Sequence, residues 1–228
     1  MHKIHLLLTN SNLISTFSTI SPIVIGILLA KRLERPLVIL LIYFLISFGF
    51  DIVGTYYSEL NKNNLPLFHL HTIMEFGLLS LVFYQAFPVS GLRKSIPWLV
   101  ALFSGFAGVY AVFNGTRVFN SIPRAIENVV MIAYAILYLA QLNKHMPVKR
   151  LEQFPMFWIT TAVLLYFSGT LLLFTLGEYL ATLEQHFPID IWVVHSVLNV
   201  VFNILCAVGL WVSRHRSVTA SSYSVHLP

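Results

Sequence analysis

Seven apolar stretches divide this chain, and they constrain its fold more than any other feature. Each is about 18–24 residues long, the length that an α-helix needs to cross the hydrocarbon core of a bilayer. Charged residues make up 10% of the 228 residues, whereas a soluble domain carries about 25%. We therefore predict an all-α membrane protein with seven transmembrane helices. The predicted spans are 13–30, 36–57, 66–87, 96–113, 122–142, 155–176 and 189–212.

The domain organisation, the cysteine content and the net charge exclude several other protein classes. We predict that residues 1–213 form one transmembrane bundle and that residues 214–228 form a disordered cytoplasmic tail. The single cysteine, Cys206, lies in an apolar span, which excludes a disulfide framework and a CxxC site. The net charge of +5 does not indicate a nucleic-acid partner, because the basic residues lie in short loops between spans.

The distribution of basic residues predicts the orientation of the bundle. The loops after spans 1, 3 and 5 and the C-terminal tail hold ten of the fourteen Lys and Arg residues. Because cytoplasmic loops are enriched in these residues, we predict that the N-terminus is outside and the C-terminus is cytoplasmic. A multi-pass protein of the cell (inner) membrane is expected. The ten residues are Lys31, Arg32, Arg35, Arg93, Lys94, Lys144, Lys149, Arg150, Arg214 and Arg216.

Two short segments in the third and seventh spans resemble each other. "HTIMEF" at 71–76 and "HSVLNV" at 195–200 share a His, a hydroxyl residue, two apolar residues and a polar residue. This likeness predicts a 3+1+3 parallel repeat in which the fourth span links two triplets. The alternative is that apolar helices resemble one another through composition alone.

Polar residues recur inside four of the spans, mostly four residues apart. Residues at this spacing share a helix face, and ionisable groups within a span normally face the bundle interior. We therefore predict one polar pocket in the outer half of the bundle, lined by the second, third, fifth and seventh spans. In the second span, Ser47 and Thr55 lie on the same helix face as Asp51. The lining residues are Asp51, His71, Glu75, Arg124, Glu127, Asn128, His195, Asn199 and Asn203.

Each polar group also has a structural interpretation. His71 and Glu75 could form a buried pair that locks helix packing, and Arg124 could pair with Glu127 within one helix. The polar residues of the seventh span could form interhelical hydrogen bonds. Asp51 could reach water at the outer end of its span, and His69 is expected at the membrane interface.

Two imidazoles and a carboxylate can supply the three protein ligands of a catalytic zinc site. His71, Glu75 and His195 are therefore candidate ligands for a divalent metal such as zinc. Asp51 or Glu127 could act as a general base or form a hydrogen bond to one of the metal ligands. The chain contains no HExxH or GxSxG motif and no phosphate-binding glycine loop.

Three families resemble parts of this pattern. The 3+1+3 plan and the N-outside topology are similar to sugar transporters of the SWEET type, a resemblance that implies transport through a pocket lined by helices 3 and 7. Ser47, Asp51 and His195 resemble the membrane hydrolases related to alkaline ceramidases and adiponectin receptors, although Asn199 replaces the second histidine of their HxxxH motif. The stretches "HLHTIMEF" and "HSVLN" resemble small bacterial seven-helix membrane proteins of undefined activity.

Three functions fit the sequence. The first is a sensor that binds a small polar ligand or ion and acts through a separate cytoplasmic partner, for instance a kinase. The second is a transporter of small molecules or ions, and the third is a metal-dependent hydrolase acting on lipid. All three functions require that the chain is embedded in a lipid bilayer. A seven-helix bundle could also form a homodimer through a lipid-facing surface.

Overall fold

The computed structural model describes residues 13–88, 91–145, 151–183 and 188–214, without the side chains of 145, 174–183 and 188–192. Within these ranges the chain is helical and contains no strand. Seven helices are long and apolar enough to cross a membrane, as predicted. The N-terminal residues 1–12 and the predicted tail after Arg214 lie outside the described residues. The helices are α1 (Leu13–Arg32), α2 (Arg35–Glu59), α3 (Leu65–Ala86), α4 (Gly91–Asn114), α5 (Ser121–His145), α6 (Pro155–Leu183) and α7 (Pro188–Val212).

Proline marks several of the helix starts. Pro36 and Pro66 lie in the first turns of α2 and α3, where the missing N–H group has no intrahelical acceptor to lose. The prediction for the fourth span was wrong at its start. We expected the span to begin at 96, yet α4 begins at Gly91, so Pro97 lies inside the helix. The span was predicted from its run of apolar residues, so the helical turn that contains Arg93, Lys94 and Ser95 was left out.

The helices pack in the order of the chain. Each helix contacts the next one, α7 returns to contact α1, and α3 also contacts α5. Nothing in this order separates helices α1–α3 from helices α5–α7 as two units. The 3+1+3 repeat therefore gains no support from the packing.

Aromatic side chains fill the centre of the bundle. Phe202 of α7 packs between two tyrosine rings, with ring centroids 6.2 Å from Tyr43 of α2 and 5.0 Å from Tyr166 of α6. Phe44 lies on the same cluster, 5.9 Å from Phe202. Offset and edge-on aromatic contacts of this kind add about 0.5–1.5 kcal/mol per pair beyond the burial of area. They fix the two tyrosines whose hydroxyl groups reach the polar centre of the bundle.

The outer surface of the bundle is apolar. On α4, Val112 and Phe113 are 80% and 84% exposed, and Leu102 is 72% exposed. Such side chains would be costly in water, but they match a hydrocarbon environment. This surface is the one expected to face lipid.

Two glycines of the α6–α7 pair let these helices approach closely, as small residues do in membrane bundles. A Cβ atom at Gly209 would lie 2.9 Å from the carbonyl oxygen of Pro155 and 3.0 Å from Ile159 Cγ1. At Gly169 it would lie 2.7 Å from Leu198 Cδ1, a flexible side chain that can turn aside. A Cβ atom at Gly209 would instead meet a backbone oxygen, which cannot turn aside.

Gly209→Ala is therefore expected to destabilise the bundle by about 1–3 kcal/mol, because α6 and α7 must separate. The measurement is the unfolding free energy of the purified protein in mixed micelles titrated with a denaturing detergent. Gly105→Ala is the matched control, since a Cβ there meets no atom within 4 Å. Equal stability of the two variants would contradict the close α6–α7 contact.

Candidate functional site

A buried carboxylate on α3 is the centre of the polar interior. Glu75 is 1% exposed and lies near the midpoint of its helix. Its Oε1 accepts a hydrogen bond of 2.8 Å from the hydroxyl of Tyr43 on α2. Its Oε2 accepts a hydrogen bond from Nη1 of Arg124, in the first turn of α5. Both carboxylate oxygens therefore have a donor from another helix.

The guanidinium of Arg124 connects three helices. Besides Glu75 on α3, Nη1 donates to Glu127 Oε2 at 3.1 Å within α5. Nη2 donates to the hydroxyl of Tyr166 on α6 at 3.2 Å. The planar fork of an arginine suits such a bridge, because its donors point in fixed and different directions.

Two histidines extend this arrangement. His71 lies one turn before Glu75, and its Nδ1 is 3.6 Å from Glu75 Oε2. Its side chain is 21% exposed, whereas that of Glu75 is 1% exposed, and its ring packs edge-on against Phe50. His195 brings in α7, since its Nε2 lies 3.4 Å from the hydroxyl of Tyr166.

Side chains from five helices thus meet in what we call the charged network. It joins α2, α3, α5, α6 and α7, and it includes five of the nine residues that the sequence analysis placed in one pocket. Its members are Tyr43, His71, Glu75, Arg124, Glu127, Tyr166 and His195.

Sequence reasoning missed the two tyrosines. A tyrosine in an apolar span is counted with the aromatic residues, so its hydroxyl group is overlooked. A signal was present for Tyr43, which lies four residues before Ser47 and eight before Asp51 on one stripe of α2. Tyr166 likewise lies four residues before Thr170, another buried polar residue of α6.

Two predicted lining residues lie beside the network. Asn128 is fully buried, and its Oδ1 accepts a 3.4 Å hydrogen bond from Thr170 on α6. It follows Glu127 directly, so its side chain leaves α5 in a different direction. Asp51 is half-buried and forms no hydrogen bond or ion pair with the described residues.

The two asparagines of α7 bond to α1 and not to the network. Asn199 donates to Ser15 Oγ at 2.7 Å, while Asn203 donates to Ser18 Oγ at 2.6 Å and to Thr19 Oγ1 at 3.1 Å. Residues four apart on a helix rotate by about 40° per step, so the stripe that begins at His195 turns toward α1. The structural interpretation of this stripe as interhelical hydrogen bonding therefore fits Asn199 and Asn203.

Asn203→Leu is expected to lower the unfolding free energy by less than about 2 kcal/mol, because interhelical hydrogen bonds in membranes average about 0.6 kcal/mol. The charged network is expected to stay intact. Detergent-titrated unfolding gives the first quantity. A loss far above this range would contradict a purely interhelical role.

His69 contacts the connection between α4 and α5. It is 6% exposed, and its Nε2 lies 2.8 Å from the carbonyl oxygen of Val118. Asn120, in the same connection, donates to Thr72 Oγ1 at 2.7 Å. These contacts tie the connection to the first turns of α3, and the position of His69 at the membrane interface stays a prediction.

The predicted metal ligands do not fit a zinc site as they are arranged. Among the residues that the structure describes, no three His, Cys, Asp or Glu side chains form a group that could hold a metal ion. Both oxygens of Glu75 already accept hydrogen bonds, and the positive charge of Arg124 would repel a divalent cation there. The assignment of a divalent metal to His71, Glu75 and His195 stays a prediction that this geometry does not favour.

No protein-family model, curated protein or solved structure matches this chain. The resemblances to SWEET-type transporters, to the ceramidase-related hydrolases and to small bacterial seven-helix proteins therefore stay predictions. The charged network is the feature of the molecule that bears most directly on its function.

Proposed function

We propose that this chain is an integral membrane sensor that binds a small polar ligand or ion at the charged network and signals through a separate cytoplasmic partner. The observation that carries the proposal is that one guanidinium, Arg124, links Glu75 of α3, Glu127 of α5 and Tyr166 of α6. A change of charge at any of these groups alters contacts between helices. Binding can therefore favour one arrangement of the bundle over another.

Partial access to the network supports the same proposal. Glu75 and Glu127 are buried, but the side chain of His71 is 21% exposed and lies 3.6 Å from Glu75. We infer that a ligand or ion reaches His71 first and acts on the buried carboxylate through it.

The proposal includes the orientation drawn from the sequence, with the N-terminus outside and the C-terminus in the cytoplasm of a cell with an inner membrane. Exposed basic side chains, including Lys31, Lys94 and Lys144, lie at the helix ends assigned to the cytoplasm. At the same ends, Arg93 lies over the ring of Tyr84 and Arg214 over the ring of Trp211. These basic ends are the surface that a cytoplasmic partner would contact.

The other two functions have less support. The transporter depended on the 3+1+3 repeat, for which the order of helix contacts offers no evidence. The hydrolase depended on a metal, and the donor groups among residues 13–88, 91–145, 151–183 and 188–214 do not suit one.

The sensor is tested by measuring movement and flux on the same protein in liposomes. Spin labels are attached to Lys31→Cys and Lys144→Cys, at the ends of α1 and α5, in a Cys206→Ala background that removes the only native cysteine. Pulsed electron paramagnetic resonance then gives the distance between the labels as the pH and the concentrations of sodium and zinc are varied. We expect the distance to change with at least one of these, and an enclosed pH dye to report no proton flux above that of empty vesicles.

Two results would contradict the proposal. One is a label distance that stays constant in all three titrations. The other is solute or proton flux that disappears in a network variant, because it would indicate a transporter.

A further inference from the structure

The charges of the network do not balance. Glu75 and Glu127 supply two carboxylates, and both accept hydrogen bonds from the same nitrogen of Arg124. One guanidinium therefore serves two buried acids, which leaves one negative charge in excess if both are ionised. An uncompensated charge in a low-dielectric interior is costly, and such a group normally takes up a proton.

The hydrogen bonds distinguish the two carboxylates. Glu75 accepts from Tyr43 at one oxygen and from Arg124 at the other, so its ionised form is stabilised at both oxygens. Glu127 is fully buried and accepts from Arg124 at Oε2 only. No donor from the described residues reaches its Oε1. A negative charge is therefore better tolerated on Glu75 than on Glu127.

The other ionisable groups around Glu127 do not remove the imbalance. From α3, His71 is 3.6 Å from Glu75 Oε2, beyond hydrogen-bonding distance, and α6 and α7 contribute Tyr166 and His195. From α2 come Tyr43 and, farther along, Asp51, whose negative charge adds to the excess. The helix α4 carries Arg93, Lys94 and Tyr110, none of which forms a hydrogen bond or ion pair with Glu127.

We propose that Glu127 is a proton-binding site and that it is a neutral carboxylic acid in this arrangement of the bundle. The O–H bond forms at Oε1, the oxygen without a protein donor, and Arg124 then balances the single charge of Glu75. The proton is taken up from water and is returned to water on release.

This inference names the ion of the proposed function as a proton. Its role in signalling rests on that proposed function. Loss of the proton leaves two carboxylates competing for one guanidinium. Arg124 then shifts between Glu75 and Glu127, and its bond to Tyr166 changes with it. The same charge change thus reaches α3, α5 and α6.

Infrared spectroscopy of the full chain in lipid tests the site directly. A protonated carboxylic acid has a carbonyl stretch above the amide band, in a region where ionised carboxylates do not absorb. We expect such a band in the native protein, a shift of the band to lower frequency in D₂O, and its loss in Glu127→Gln. Glu127→Asp should retain the band at a changed frequency, which identifies the residue even if the Gln variant folds poorly. Glu59→Gln, at an exposed end of α2, is the control that should leave the band unchanged.

Three results would overturn the proton site. They are absence of the band from the native protein, survival of the band in Glu127→Gln, and a frequency change in Glu75→Asp but not in Glu127→Asp. The last would put the proton on Glu75. None of them decides the sensor proposal, which depends on the distances between spin labels, so the two proposals can fail separately.

Discussion

Replacing Arg124 by leucine is expected to destabilise the protein by about 3–5 kcal/mol, more than any other single substitution in the network. The substitution removes the only guanidinium in contact with Glu75 and Glu127 among the described residues. The carboxyl groups of Glu75 and Glu127 are then buried without a counter-ion, and Tyr166 loses its hydrogen bond from Nη2. The unfolding free energy in mixed micelles measures the loss.

The destabilisation caused by Arg124→Leu should grow as the pH rises. At low pH both carboxylates are protonated in the folded and in the unfolded chain, so the missing guanidinium matters little. At higher pH the unfolded chain releases these protons to water, while the folded variant must keep them or bury two negative charges. Since the unfolded state then binds fewer protons than the folded state, stability falls with pH.

Two variants serve as controls for this prediction. Arg124→Lys keeps the charge but lacks the planar fork, so it should lie between the native protein and Arg124→Leu. Glu75→Gln leaves one guanidinium with one carboxylate and should cost much less than Arg124→Leu. If Arg124→Leu proves as stable as Glu75→Gln at high pH, the charge argument for the network is wrong.

The helices could be predicted from the sequence because their signal is local. An apolar run of bilayer length specifies a span whatever its neighbours are, and seven such runs correspond to α1–α7. The start of α4 escaped this reasoning, since Arg93, Lys94 and Ser95 interrupt the apolar run. The order of the helices around the bundle depends on contacts between distant segments, about which a single sequence says little.

The network could be predicted only in part for the same reason. Spacing of four placed His71 with Glu75, and the cost of buried charge indicated that both face inward. Spacing could not show that Arg124 would reach across to Glu75, or that Asn203 would turn toward Ser18. Those choices depend on how each helix is rotated, which is set by packing of all seven.

Glu75→Leu is expected to abolish the response of the label distance to pH or ions while the bundle stays folded. Glu75 is the acceptor shared by Tyr43 of α2 and Arg124 of α5, so its loss disconnects α2 and α3 from the other helices of the network. Arg124 keeps Glu127 as a partner, and Glu127 can then ionise, so that the remaining charges balance. Removing one member of a buried ion pair destabilises a protein mainly by leaving the other charge unpaired. Because Arg124 keeps Glu127, we expect the unfolding free energy to change little.

Asn203→Leu is the matched control for Glu75→Leu, because it introduces the same side chain in a helix interior but removes bonds to α1 and not to the network. It should lose some stability and keep the response of the label distance. A full response in Glu75→Leu would show that the network does not carry the signal. Failure of Glu75→Leu to fold would show that Glu75 acts in packing, because a balanced Arg124–Glu127 pair would then be insufficient to hold the bundle together.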